Sequence, residues 1–293
     1  MDLISYNLAT ININNISNQT KIDALSSFLR LNDIDIAFLQ EVENDSIQLS
    51  GYELICNIDS RQRGVAFAVK PNVEYSAVQK SLDGRLITLK LKNNVTLCNI
   101  YAPTGAQSTT AREDFFNTSC AYYLRSCNGP IIMGGDFNSI VNPKDATGAT
   151  PRSNMTSRLM TSLDLVDVWR CLRRNDTDFT FLRAGSCSRL DRFLLSRGST
   201  DWLRTINHSV NCFSDHKAVI MRMVLPKTGP LIGRGFWRLN THVLDDEETI
   251  RLVQNRWQSL VRQRPNYRSW YSWWSGFINV INCCYFCWSE FVI

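Results

Sequence analysis

Five strand-length runs follow one another between residues 52 and 101, with no helical pattern between them. They cover 52–57, 63–70, 73–79, 85–92 and 95–101; Pro71-Asn72 ends the second, and Asp83-Gly84 and Asn93-Asn94 are tight-turn dipeptides. Strands joined by so few residues run antiparallel, because a parallel pair needs a crossover of a dozen or more residues. A doubly wound parallel sheet is therefore excluded. Before this meander the pattern is strand, helix, strand: residues 2–8, then a helix with Thr20 and Asp23 in capping-box spacing and Ile22, Leu25, Phe28 and Leu29 as its stripe, then 34–39. Asn12 to Asn18 reads as an Asn-rich loop. After the meander, Thr110 and Glu113 open a second helix with Phe116, Cys120, Tyr123 and Leu124 facing inward. A strand at 131–133, a short helix at 156–163 and strands at 178–182, 189–195, 206–211 and 217–224 complete the pattern. The predicted fold is α/β, with two mixed β-sheets packed face to face and helices outside.

The 293 residues suffice for one large domain with an extension, and 44% hydrophobic with 20% charged residues is ordinary globular composition. A net charge of +5 does not by itself demand a polyanion. Its distribution says more. Residues 1–150 hold 12 Lys/Arg against 15 Asp/Glu, whereas 152–204 hold ten Arg, no Lys and six Asp. Arginine's planar fork of donors suits phosphate oxygens, so an acidic half beside an Arg-rich segment suits a metal-dependent enzyme acting on a phosphate polymer; solvated salt bridges explain the charges equally well. The ten cysteines are scattered, several inside apolar runs, as in reduced buried cysteine. Cys284 and Cys287 form a CxxC with no second ligand pair nearby, which argues against zinc. Asp2 and Ser5 interrupt any leading apolar run, and the chain is expected in the nucleus or cytoplasm.

The stretch Ile131-Ile-Met-Gly-Gly-Asp-Phe-Asn138 carries the chemistry. Its glycines are expected to break the strand, leaving Asp136 and Asn138 just past the end, where α/β proteins bind ligands. Asn7, Glu41 and Tyr101 also fall at the carboxyl ends of predicted strands, and Asp215-His216 falls just before one. If that last strand runs antiparallel to its neighbour, its start reaches the same rim, and six segments meet.

These six stretches, in order, resemble the endonuclease/exonuclease/phosphatase family of Mg²⁺-dependent phosphodiesterases. They are Ser5-Tyr-Asn7, Leu39-Gln-Glu41, Asn99-Ile-Tyr-Ala-Pro103, Gly134-Gly-Asp-Phe-Asn138, Ser188-Arg-Leu-Asp-Arg-Phe-Leu-Leu-Ser196 and Ser214-Asp-His216. The resemblance is strongest to apurinic/apyrimidinic endonucleases and to the endonuclease domains of LINE-type (non-LTR) retrotransposons, with the Ser-Arg-Leu-Asp-Arg pattern favouring the latter. It implies a four-layer α/β sandwich over 1–225 and a Mg²⁺ cofactor, Mn²⁺ being a substitute. Glu41 and Asp215 would hold the metal, since Mg²⁺ takes one or two carboxylates plus waters and phosphate oxygens. Asn7 would support the metal carboxylate or a phosphate oxygen. Asp136 would orient or deprotonate the attacking water, and Asn138 would hold a phosphate oxygen. His216 would hydrogen-bond the phosphate, its tautomer or charge set by Asp191. Tyr101 would bond the phosphate or help the leaving oxygen. Ser214 and Thr180 would touch the substrate; Thr180 could equally orient Asp191 or be a plain strand residue.

Two departures stand out. After Asn7-Leu8 the family often shows Asp or Asn followed by Gly; Ala9-Thr10 stand there instead, so an outer metal contact is expected to be missing. Arg192 stands where repair endonucleases usually carry an aromatic residue. Residues 226–242 are expected to be a linker bearing Gly and Pro. Residues 243–264 form a predicted helical segment resembling the connector to a reverse transcriptase, and 265–293 an aromatic tail that is poorly ordered. No reverse transcriptase follows, so the chain is read as a truncated or read-through copy. The uncharged run Ser269–Ser289 is long enough to span a bilayer, but Asn279, Asn282 and its serines argue against that, and no stable membrane association is expected. The expected activity is nicking of double-stranded DNA to leave a 3′-hydroxyl. The alternatives are a phosphatase or lipid phosphodiesterase of the same family, or an inactive nucleic-acid-binding remnant.

Overall fold

A computed structural model describes residues 2–15, 18–60, 64–125, 127–148, 152–183, 185–227 and 247–263. The chain opens with β1 (Leu3–Asn12), α1 (Gln19–Leu31) and β2 (Ile36–Gln40), followed by β3 (Glu53–Ile58), β4 (Gly64–Val69), β5 (Tyr75–Lys80), β6 (Leu86–Leu91) and β7 (Thr96–Tyr101). A helical stretch then runs through α2 (Thr109–Asp114), a π-helical turn (Phe115–Cys120) and α3 (Ala121–Arg125) into β8 (Ile131–Asp136). Next come α4 (Asn154–Ser162), β9 (Leu165–Asp167), α5 (Val168–Leu172), the hairpin β10 (Phe181–Arg183) and β11 (Ser186–Ser188), then β12 (Asp191–Ser196), β13 (Leu203–Ser209) and β14 (Ala218–Pro226).

Twelve of these strands make two six-stranded mixed sheets, ordered β13-β14-β1-β2-β4-β3 and β5-β6-β7-β8-β12-β9. Their facing sides share one apolar core, in which Leu8, Phe38 and Phe67 of the first sheet meet Leu97, Ile132 and Phe193 of the second. Phe38 packs edge-on against both Phe67 and Phe193, with ring centroids 4.8 and 5.2 Å apart. Leu25 and Leu29 of α1 cover the outer face of the first sheet. Phe116, Cys120, Leu124 and Leu159 cover the outer face of the second. The result is the expected four-layer α/β sandwich.

Three sequence expectations fail locally. The strand at 131–133 does not break at its glycines; β8 continues through them to Asp136. They are needed for close packing. A Cβ on Gly134 would lie 2.5 Å from the Phe193 ring, and one on Gly135 (φ +146) 2.0 Å from the Ile100 carbonyl oxygen. Neither predicted capping box forms. The α1 cap is Asn18, whose side chain accepts from Lys21 N–H, and Glu113 instead accepts from the Met155 backbone. Strand β1 runs four residues beyond its predicted end at Leu8, with consequences for the site.

The two sheets are also tied by a buried polar link. Gln40 Nε2 donates to Asn99 Oδ1 (2.7 Å), and Asn99 Nδ2 donates to the carbonyls of Leu39 and Ala66 (3.0 and 2.8 Å). Gln40 and Asn99 thus join the sheets beside the strand ends that carry Glu41 and Tyr101. Backbone contacts divide the chain into two units, 1–233 and 234–293. In the second, α6 (Glu247–Gln263) lies within the predicted helical segment, with Trp257 and Val261 exposed. The rest of that segment, the linker beyond Lys227 and the aromatic tail lie outside the described residues. No described helix is long and apolar enough to cross a membrane.

Candidate active site

Register brings the candidate residues to one rim. β1 and β2 are parallel with Asn12 opposite Gln40, and β7 and β8 are parallel with Tyr101 opposite Asp136. β12 runs antiparallel to β8, so its first residue, Asp191, pairs with Asp136. β14 runs antiparallel to β1 with Val219 opposite Thr10, which carries the preceding Asp215-His216 to the same end. The antiparallel condition set on that last strand is met.

Asn7 is not there. It sits mid-strand opposite Arg222, its N–H donating to Asp35 Oδ2 and its Nδ2 to the Asp33 carbonyl, near the start of β2. At about 3.3 Å per residue it lies roughly 17 Å along the strand from the rim. Asn12 occupies the position instead. Its Nδ2 donates both to Glu41 Oε1 (2.8 Å) and to Asp136 Oδ2 (3.0 Å). The signal was present: the alternation of Ile11 and Ile13 with Asn12 and Asn14 continues the strand, and both isoleucines are buried. The contact expected to be missing after Asn7 is supplied five residues later. Asn14 Nδ2 donates to Asp215 Oδ1 at 3.0 Å, and Asn15 (φ +56) holds the left-handed backbone that suits glycine.

Glu41 and Asn138 are also left-handed, at φ +59 and +46. Such strain costs about 1–3 kcal/mol per residue and gathers at functional sites. Glu41 Oε1 accepts a second bond, from Tyr101 OH at 3.0 Å. Burial and the negative charges of Glu41 and Asp136 push the Tyr101 phenol far above its ordinary range, so it is a donor and never a phenolate. Asp136 is fully enclosed. Its Oδ1 accepts from Asn138 N–H (2.8 Å), while Asn138 Nδ2 is turned to the Ala102 carbonyl (2.9 Å). Burial and neighbouring Asp191 raise the Asp136 pKa to about 6, against the opposing pull of His216 and its hydrogen bonds.

His216 Nδ1 lies 2.8 Å from Asp191 Oδ2, and its ring packs against Phe181 of the β10–β11 hairpin. Burial disfavours the imidazolium, but Asp191, Asp136 and Asp215 outweigh it and hold the pKa up at about 10. The ring is therefore a cation at neutral pH. Thr180 Oγ1 accepts from the backbone of Leu190 and Asp191, so it orients Asp191. Ser214 Oγ donates to the Asn12 carbonyl (2.6 Å) and accepts from His216 N–H, tying the Asp215-His216 loop to the end of β1.

In the Arg-rich segment Arg189 and Arg192 are buried and Arg170 half-buried, while the other seven arginines are exposed. Buried Arg189 bonds Asp145 and Asp167, and Arg170 joins it on Asp145. Arg192 is 1% exposed, lies over the Phe137 ring and donates to the carbonyls of Ser139 and Arg189. Arg192 thus stacks on the ring at the centre of the Asp136-Phe137-Asn138 turn.

The acidic groups fit a hard divalent ion. Among the described residues, both hydrogen bonds to Glu41 land on Oε1, leaving Oε2 open, and Asp215 is exposed on the loop before β14, held by Asn14. Asp136, Asp191 and His216 also offer ligand atoms within 4.8 Å of one another, and Asp191 Oδ1 is buried without a partner. In that triad, however, Nδ1 is already taken by Asp191 and the ring is protonated, which leaves no lone pair there for a metal.

A rim of acids, amides and one charged imidazole on a two-sheet sandwich defines a phosphodiesterase-type architecture. The sequence model of the endonuclease/exonuclease/phosphatase family matches residues 5–216, and the chain belongs to that family. It is 25% identical over 291 residues to the Transposon TX1 uncharacterized 149 kDa protein of Xenopus laevis, covering 92% of this chain but only 22% of that protein. Its fold is similar to that of the AP endonuclease LMAP from Leishmania major (TM-score 0.67, 19% identity, covering 76% of this chain and 88% of that one). It is also similar to an AP endonuclease from Archaeoglobus fulgidus (TM-score 0.64, 20% identity, covering 74% and 98%). The 3′-5′ exonuclease NExo from Neisseria meningitidis gives a TM-score of 0.62 at 18% identity, covering 74% and 99%.

Proposed function

We propose that this chain is a Mg²⁺-dependent endonuclease that nicks double-stranded DNA and leaves a 3′-hydroxyl, and that it serves a LINE-type mobile element. The observation that carries the reading is the Asn12 bridge between Glu41 and Asp136, beside the Asp191–His216 pair. Family membership supplies the reaction class, and the transposon relative together with the AP endonuclease likeness favours DNA.

Glu41 and Asp215 would hold the metal, with Asn12 and Asn14 fixing their carboxylates. The bound ion would neutralise phosphate charge and stabilise the departing oxygen. Asp136, with both oxygens hydrogen-bonded, orients the attacking water and takes its proton. Water oxygen bonds to phosphorus as the bond from phosphorus to the 3′-oxygen breaks; the departing oxygen takes a proton from solvent water, giving a 3′-hydroxyl beside a 5′-phosphate. Attack must be in line, so fixed placement of the water matters more than its basicity. The His216 imidazolium bonds a non-bridging oxygen through its Nε2 edge. The remaining Asn138 amide hydrogen is the further donor within the site, the Tyr101 hydroxyl hydrogen being committed to Glu41.

The test is supercoiled plasmid incubated with the protein and Mg²⁺, with and without chelator. Nicked circles that a DNA polymerase extends directly are expected. Plasmid left intact by well-folded protein would reject the reading. Asp136→Ala should abolish nicking while keeping the fold.

A further inference from the structure

Lys21 is the one cation on α1 that reaches the rim. Its ammonium donates to the carbonyl oxygens of both Asn14 (2.6 Å) and Asn15. Those two residues are consecutive and left-handed, at φ +44 and +56, and neither is glycine. Asparagine is one of the few residues besides glycine that visits this region, because its short polar side chain bonds locally. Two in a row turn successive carbonyls toward one side, where an ammonium can bind both. The turn also lends the Asn14 N–H to Asn12 Oδ1 (2.9 Å) and the Asn14 side chain to Asp215 Oδ1 (3.0 Å). Burial lowers the Lys21 pKa, while Asp215 and Glu41 act on it in the opposite direction, so the ammonium stands within their field.

We infer that Lys21 is a positioning residue for the metal site: it locks the Asn14-Asn15 turn so that Asn14 holds Asp215 in place. The inference rests on the reading of Glu41 and Asp215 as the metal carboxylates. Two effects of removing Lys21 oppose each other. Loss of a cation near two carboxylates would tighten divalent binding, but a screened charge pair at a rim changes affinity by about fivefold or less. Loss of a residue that orients a ligand costs about 10–100-fold in metal affinity. The positioning effect wins, which fixes the sign of the expected change.

The experiment measures Mn²⁺ binding by calorimetry for wild type, Lys21→Met, Asn14→Ala and the double variant, and solvent exchange of the Asn14 amide by NMR without metal. Lys21→Met keeps most of the stem and removes the donors. The expected results are Mn²⁺ binding about tenfold weaker in Lys21→Met, no further loss when it is added to Asn14→Ala, and faster Asn14 exchange in the metal-free protein. Unchanged or tighter Mn²⁺ binding with unchanged Asn14 exchange overturns the inference, as do losses that add independently in the double variant. A wild type that binds no Mn²⁺ instead rejects the metal-site reading itself, and the exchange measurement still reports whether Lys21 holds the turn.

Discussion

Asn12 donates its side-chain amide to Asp136 across 124 residues of sequence, at 3.0 Å, with the same nitrogen on Glu41 at 2.8 Å. One amide thus sets the spacing of the two carboxylates. Asn12→Ala should lower nicking about 10–100-fold, the usual effect of deleting an outer-shell partner. Asn7→Ala should leave the rate unchanged, because its bonds go to the opposite end of the strand. Rates under saturating and limiting Mg²⁺ check both, and a reversed order would return the site to Asn7.

The pairing of Asp191 with His216 fixes the pH dependence. The imidazolium persists until pH rises through about 10, so this limb of activity falls on the alkaline side. Asp136 must be ionised to accept a proton, so activity rises with pH on the acid side; the Asp136 pKa is about 6 in the metal-free site, and a bound cation places the acid limb lower than that. Asp191→Asn removes the main partner of the imidazolium, and burial then lowers its pKa. The alkaline limb of kcat/KM should move down by several pH units, with a loss of about 10²–10⁴-fold at pH 8. An unmoved limb would mean that His216 does not set it.

The order of strands and the rim they share were legible because apolar runs and turn dipeptides report directly on a meander. Glu41, Tyr101, Asp136, Asn138 and His216 were legible for the same reason: each borders a run whose end is marked by composition, whereas Asp191 lies inside its predicted strand and only the family resemblance pointed to it. Asn7 was chosen over Asn12 because repeated asparagines look like a loop, whereas here burial of Ile11 and Ile13 extends the strand. Lys21 was out of reach, since its partners are backbone carbonyls whose direction depends on two left-handed residues. The Arg-rich segment was legible only as a count. Composition counts guanidinium groups but cannot say which of them are buried against Asp145 and Asp167.

Asp145 accepts from Arg189 at two points and from Arg170, all within a buried cluster. Asp145→Ala removes the carboxylate that two arginines share and leaves Arg189, 1% exposed, with Asp167 alone. The expected cost is about 3–5 kcal/mol in urea unfolding. Arg192→Met should leave the salt dependence of DNA binding unchanged, because a buried guanidinium releases no counterions. A shallower slope for Arg192→Met would place that side chain on DNA.

Gly134 and Gly135 separate two causes of the same sequence pattern. Gly135→Ala meets a backbone oxygen at 2.0 Å in a conformation reserved for glycine, so no side-chain movement relieves it. Gly134→Ala meets the Phe193 ring, which can shift at the expense of the Phe38 contact. Overpacking of this kind costs about 1–3 kcal/mol. Gly135→Ala should therefore be the more damaging of the two. Thermal melts of both variants and of Gly134→Ala with Phe193→Leu check this, the double variant recovering part of the loss.

His208 gives the fold its own acid sensitivity, separate from the site. Its ring stacks on Trp169 at 4.0 Å with 16° between planes, and its side chain is 1% exposed. Burial lowers its pKa to about 4 despite Asp178 at 3.0 Å. The unfolded chain binds this proton near pH 6.5 and the folded protein does not, so the stabilisation is fully present above 6.5 and is lost as pH falls toward 4. The difference corresponds to about 3 kcal/mol. Asp136 acts with the opposite sign, since its raised pKa makes the folded state bind a proton that the unfolded chain has released between about 4 and 6. A single wild-type curve mixes the two. His208→Phe keeps an aromatic ring on Trp169 and removes the imidazole titration, together with its contact to Asp178. Urea unfolding at pH 7, 5.5 and 4.5 should show wild type losing more stability than His208→Phe, the gap widening as pH falls; parallel curves would mean that His208 is already protonated in the folded protein.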